Sequence, residues 1–240
     1  MTWTETNTTD GPMRIFEAAP SGEARGAVIV IQEAFGVNDH ITDVADRLAA
    51  KGWHAFAPDL FHRAGPNAVA PYDDFPKVMQ LFEGLDDERV LSDVDVTLDV
   101  VHQRGFDESS IGVVGFCWGG RVTFLVALRR SLGAAVGFYG GGIVSGRFPQ
   151  FPPLVGEAAA LQTPWLGLFG DDDESIPVDD VEALRGALSD SAKVDQAIVR
   201  YADAGHGFHC DARPNNYAEA AAKDGWVRTL GWFDSHLKAV

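Results

Sequence analysis

The 240 residues are 46% hydrophobic and 22% charged, a globular balance that excludes disordered and collagen-like chains. A formal net charge of -16 repels phosphate backbones and anionic lipid surfaces, so neither nucleic acid nor a membrane is expected as a partner. Cys117 and Cys210 are too few for a disulfide scaffold, residues 1–10 hold no apolar signal core, and no stretch approaches the ~20 apolar residues of a membrane span, so free thiols in the cytoplasm are expected.

In chain order, strands are expected at 14–18, 27–31, 54–57, 111–116, 134–139, 165–169 and 194–201. Several are unbroken apolar runs, such as Ala27-Val28-Ile29-Val30-Ile31, the pattern of strands buried on both faces of a parallel sheet. Between them lie amphipathic helices. Ile41, Val44, Ala45, Leu48 and Ala49 recur at helical spacing, as do Val90, Leu91, Val94, Leu98 and Val101, and then Trp226, Leu230, Phe233 and Leu237. The alternation predicts an α/β fold: a mostly parallel sheet with helices on both faces, as a single domain over 1–240. Such sheets bind ligands beyond the C-terminal ends of their strands. The Pro/Gly-rich segments 62–76 and 140–153 lie beside such ends and are expected to form pocket walls or lids.

The sharpest local signal is a strand followed by Gly115-Phe116-Cys117-Trp118-Gly119-Gly120, with a helix beginning near Arg121. A nucleophile on a tight strand-to-helix turn needs small neighbours, and the turn projects its side chain into the cleft. The helix N-terminus favours thiolate over thiol, and the Trp118 backbone N–H can donate to an oxyanion.

A thiol nucleophile needs a base, and the base needs an orienting group. Of the seven histidines, His206 is set between Gly205 and Gly207 directly after the last expected strand. His209 lacks that setting, and His40, His54, His62, His102 and His236 suit core or surface roles. The acid is expected after the penultimate strand, where Asp171, Asp172 and Asp173 stand together. The order Cys, acid, His is the one α/β-hydrolases use. His206, His209, Cys210 and Asp211 are crowded rather than spaced for tetrahedral ligation, so no metal and no cofactor are expected.

Four motifs resemble the dienelactone hydrolase family: Gln32-Glu33-Ala34-Phe35-Gly36-Val37-Asn38, Ala57-Pro58-Asp59-Leu60-Phe61, the elbow around Cys117, and Ala204-Gly205-His206-Gly207-Phe208. The resemblance runs from about Ala27 to the C-terminal helix. It implies an α/β-hydrolase fold with a Cys117-Asp173-His206 triad, because the family's acid stands four residues before a proline, here Pro177. It implies that Glu33 contacts the resting thiol and moves away when substrate arrives, and that the Ala34 N–H is the second oxyanion donor beside Trp118. It also implies a substrate carboxylate held by two arginines. One of those positions is here Cys210, leaving Arg213 as its substitute, and for the other only Arg89 and the earlier Arg63 are at hand. Phe35 and Trp118 flank the motifs and are expected to line the pocket.

The expectation is therefore a monomeric hydrolase that cleaves a small-molecule ester or lactone through a thioester, in the manner of a carboxymethylenebutenolidase. The competing expectations are a broad carboxylesterase or thioesterase with the same triad, and a non-catalytic small-molecule-binding α/β-hydrolase.

Overall fold

The structure is a computed structural model, described here for residues 1–146 and 148–240. Its strands are β1 (Thr2–Thr8), β2 (Gly11–Ala18), β3 (Ala27–Ile31), β4 (His54–Pro58), β5 (Ile111–Phe116), β6 (Ala134–Phe138), β7 (Trp165–Gly170) and β8 (Gln196–Tyr201). Its helices are α1 (Asp39–Ala50), α2 (Phe75–Leu81), α3 (Asp87–Gln103), α4 (Trp118–Arg129), α5 (Val178–Ser191) and α6 (Glu219–His236). The strands form one eight-stranded sheet in the order β1-β2-β4-β3-β5-β6-β7-β8. All neighbours from β4 to β8 pair in parallel, while β1 and β2 are antiparallel additions at one edge. This is the architecture of an α/β-hydrolase.

The apolar runs became the central strands: every residue of β3, β5, β6 and β7 is buried. Two glycines of β5 show how both faces are covered. A Cβ on Gly112 would meet Phe233 and Leu237 at the C-terminal end of the chain, whereas a Cβ on Gly115 would meet Gly119 and Thr123 of α4. Residues three apart on a strand point to opposite faces, so α4 and α6 sandwich β5. The sequence stripe on α1 is buried through Ile41, Val44, Ala45 and Leu48, and the Asn38 side chain caps the helix by accepting from the Ile41 N–H.

Strand β1 differs from expectation. Its sequence Thr2-Trp3-Thr4-Glu5-Thr6-Asn7-Thr8 is polar, and it forms an edge strand whose side chains are exposed or half-buried. Threonine at every second position, Thr2, Thr4, Thr6 and Thr8, ahead of Asp10-Gly11 is the signal for this hairpin. β2 starts at Gly11 rather than 14, and α4 starts at Trp118 rather than near Arg121.

Candidate active site

Cys117 ends β5 and caps α4 with φ 54 and ψ -121, a left-handed conformation that L-residues adopt only under constraint. The constraint is close packing of backbone. A Cβ on Gly115 would lie 2.2 Å from the Gly119 carbonyl oxygen, and one on Gly119 would lie 2.4 Å from the Gln32 carbonyl oxygen. Only hydrogens fit, so the α4 N-terminus presses against the end of β3 and the Cys117 side chain is turned outward.

The Sγ of Cys117 lies 3.0 Å from His206 Nε2, and the other ring nitrogen, Nδ1, lies 2.7 Å from Asp173 Oδ2. The structure thus gathers the three residues from the ends of β5, β7 and β8. Asp173 is buried and also accepts from the Ser175 backbone N–H at 2.9 Å and from the Ser175 hydroxyl. Burial alone would raise its pKa, but hydrogen bonding from His206, the charge of His206 and the Ser175 contacts hold it below the usual carboxylate value. For His206, burial opposes the charged form. The Cys117 sulfur and Asp173 outweigh burial and bring the imidazole from 6.5 up to about 10. Asp171 is turned away and clamped by Arg200 at 2.7 and 2.9 Å, while Asp172 lines the pocket without reaching the ring.

Glu33 is fully buried just beyond β3, and neither carboxylate oxygen has a hydrogen-bond partner among the described residues. Burial raises its pKa, opposed by the charges of Arg213 and His206. In this geometry the thiol faces His206, and no hydrogen bond joins it to Glu33. The backbone N–H groups of Ala34 and Trp118 have no acceptor among the described residues, as befits unfilled donors at a strand end and in the first turn of a helix.

These groups open into a cavity of about 590 Å³ whose lining includes Phe35, Cys117, Trp118, His206 and Arg213. Tyr72 and Phe75 line it from the first Pro/Gly-rich segment, and Gly141, Phe148 and Phe151 from the second. The Arg213 guanidinium sits 5.5 Å from the Phe35 ring and 5.2 Å from the Tyr72 ring. Arg63 and Arg89 lie elsewhere: Arg63 binds Asp93 and Asp10, and Arg89 faces Gly84 and Asp10. Cys210 is free and buried, with its sulfur 3.5 Å from the Tyr72 hydroxyl. His209 is buried among Phe116, Phe138 and Trp226, where desolvation lowers its pKa to about 3.

Sequence reasoning missed several supporting residues. Tyr139 follows β6 with φ 38 and packs edge-on against the His206 ring, their centroids 5.2 Å apart. The Asn216 side chain donates to the His206 carbonyl at 3.0 Å. Arg121, buried in α4, donates to both oxygens of Asp87 at 2.7 and 2.9 Å and to the Pro152 carbonyl at 2.6 Å, which fixes the second pocket wall. Ser175 was legible only as a residue that could turn back onto an aspartate two positions earlier.

The model of the dienelactone hydrolase family matches residues 13–237. A Salmonella typhimurium (strain LT2) protein provisionally assigned as a carboxymethylenebutenolidase is 43% identical over 232 residues, covering 93% of this chain and 82% of the relative. A carboxymethylenebutenolidase of Rhodococcus opacus is 32% identical over 94% of this chain and 87% of its own length. Among solved structures, one provisionally assigned as a dienelactone hydrolase, from Klebsiella pneumoniae, superposes with a TM-score of 0.87 at 38% identity, covering 98% of this chain and 99% of that one. A dienelactone hydrolase-like promiscuous phosphotriesterase from metagenomic libraries superposes with a TM-score of 0.80 at 25% identity, covering 98% of each chain.

Proposed function

The chain belongs to the dienelactone hydrolase family, hydrolases of lactone and ester bonds, and from that premise we propose that it opens a small-molecule lactone or ester through a Cys117 thioester. The observation that carries this reading is the continuous line from Asp173 through His206 to Cys117, at 2.7 and 3.0 Å.

His206, held by Asp173, takes the Cys117 proton across their 3.0 Å contact. The thiolate attacks the substrate carbonyl. The N–H groups of Ala34 and Trp118 receive the oxyanion; one such donor typically matters by about 10²–10³ in rate. The tetrahedral intermediate then expels the alkoxide or enolate, which takes the proton from His206. In a lactone this leaving group stays tethered to the acyl chain. Water, deprotonated by His206, attacks the thioester, and its collapse releases the carboxylic acid and restores the thiol.

Glu33 controls the thiol in this scheme. A carboxylate drawn beside Cys117 disfavours thiolate, and its withdrawal favours it. Among the described residues, no hydrogen bond to another side chain ties either Glu33 oxygen in this geometry. Arg213, set beside the touching rings of Phe35 and Tyr72, receives a substrate carboxylate in place of the arginine that Cys210 replaces. The protein acts as a monomer in this scheme, and no step of the reaction calls on a cofactor. A second reading, a broader carboxylesterase, draws on the aromatic lining of Phe35, Tyr72, Phe82, Trp118, Phe148 and Phe151, which suits bulky apolar esters.

The test is turnover of a panel of nitrophenyl esters and lactones, including a carboxylate-bearing dienelactone, by wild type and Cys117→Ala. Loss of all turnover in a folded Cys117→Ala protein supports the reading, and wild-type rates in that variant refute it. A preference for the dienelactone favours the first reading, and indifference to it favours the second.

A further inference from the structure

Behind the pocket wall lies a second convergence of reactive side chains. Glu33 follows β3, His40 sits in the first turn of α1, and Cys210 follows the His206 loop. One carboxylate oxygen, one ring nitrogen and the sulfur lie within 4.8 Å of one another. Glu33 and Cys210 are fully buried and His40 is 3% exposed. Both oxygens of Glu33 and Nε2 of His40 lack a hydrogen-bond partner among the described residues, and His40 Nδ1 stands 3.7 Å from Asp211 Oδ1, beyond a direct hydrogen bond. Buried polar groups left without partners are costly, and convergent ones are the usual mark of an absent ligand.

We propose that Glu33, His40 and Cys210 bind a divalent cation of the zinc class. The donor set carries the assignment. One thiolate, one imidazole and one carboxylate match Zn²⁺ and Co²⁺ and mismatch Mg²⁺ or Ca²⁺, which take oxygen shells. Tetrahedral zinc with bonds of about 2.0–2.3 Å sets its ligands roughly 3.3–3.7 Å apart, so the side chains draw together by about 1 Å on binding. As the metal–sulfur bond forms, the Cys210 thiol gives its proton to solvent. Arg213 and His206 are the cations that act on Glu33; His40 is faced by the Asp211 carboxylate and by Arg47, whose own charge is largely met by Asp43 and Asp211. The fourth coordination position is left to water. The three ligands come from separate segments, so the cation would tie the end of β3, α1 and the His206 loop to one another.

The test uses Co²⁺ with the full, metal-stripped chain, because cobalt–thiolate bonds give a near-ultraviolet charge-transfer band. The expected result is one equivalent bound with that band in both wild type and Cys117→Ala, displaced by one equivalent of Zn²⁺. The band should vanish in Cys210→Ala and Cys210→Ser, and His40→Gln should weaken binding at least about tenfold. Zn²⁺ should also raise the unfolding temperature of Cys117→Ala but not of Cys117→Ala/Cys210→Ala, a pair of variants whose response does not depend on esterase activity. No band in wild type overturns the proposal. So does a band that needs Cys117 or survives loss of Cys210, because the catalytic thiol would then be the ligand.

Discussion

Asp173 Oδ2 stands 2.7 Å from His206 Nδ1, while Asp171, two positions earlier, is held by Arg200 on the other side of the loop. One turn of backbone separates a carboxylate that can orient the imidazole from one that cannot. Asp173→Asn should therefore lower kcat on activated esters by about 10²–10⁴, the scale set by removing an orienting carboxylate from a triad. Asp171→Asn should stay within about twofold, since its carboxylate contacts Arg200 at the surface and no residue of the proposed triad. Steady-state kinetics on the two variants distinguishes them.

The same pair predicts a pH dependence of stability. His206 is raised from 6.5 to about 10, so its contribution is complete below pH 6.5 and is lost as pH rises through about 10. Asp173 is lowered from 3.8, so its contribution is complete above pH 3.8 and is lost as pH falls through its folded value. The stability gap between wild type and Asp173→Asn should be widest between these limits and narrow on both sides. Urea unfolding at about pH 5 and about pH 10 checks the alkaline limb, where the gap should shrink.

Arg213 lies beside the touching Phe35 and Tyr72 rings at the pocket wall. Arg213→Met should reduce kcat/KM for a carboxylate-bearing lactone by about 10–100-fold, the worth of a charge-assisted hydrogen bond, mostly through KM. A neutral ester of similar size should change by less than about threefold. Equal losses on both substrates would mean that Arg213 shapes the pocket rather than reading charge.

Arg121 binds Asp87 and the Pro152 carbonyl with its side chain 2% exposed. Arg121→Met should cost about 3 kcal/mol of stability, since Asp87 loses its partner in a largely buried setting. Chemical denaturation gives the number. The second pocket wall should also loosen, which would show as a raised KM for bulky esters.

The sequence made the central sheet legible because strands buried on both faces have no choice but to be apolar, as β3 and β5 are. Cys117 was legible because Gly115 and Gly119 are needed where backbone packs on backbone, and His206 because it stands between two glycines after a strand, one of which, Gly207, takes φ +80. Asp173 was not legible from residues alone, since three adjacent aspartates are chemically alike and only the fold decides which turns inward. The family's spacing was required. β1 stayed hidden because an edge strand with solvent on its side chains has no hydrophobic signature. The cluster of Glu33, His40 and Cys210 was hidden for another reason: its members are distant in sequence, and ligand spacing along the chain cannot register what three separate segments bring together. Arg121 lay in the elbow itself, yet its partners Asp87 and Pro152 come from other elements, so nothing local marked it.

The central claim is that Cys117 carries the acyl group. Rapid-quench mass spectrometry of the intact protein during turnover of a slowly hydrolysed ester tests it most directly. The account predicts an adduct of the acyl mass that maps to the peptide containing Cys117, is removed by hydroxylamine, and is absent from Cys117→Ala. An adduct on another residue, or full turnover with no acyl adduct trapped at any quench time under conditions where deacylation limits the rate, would contradict it.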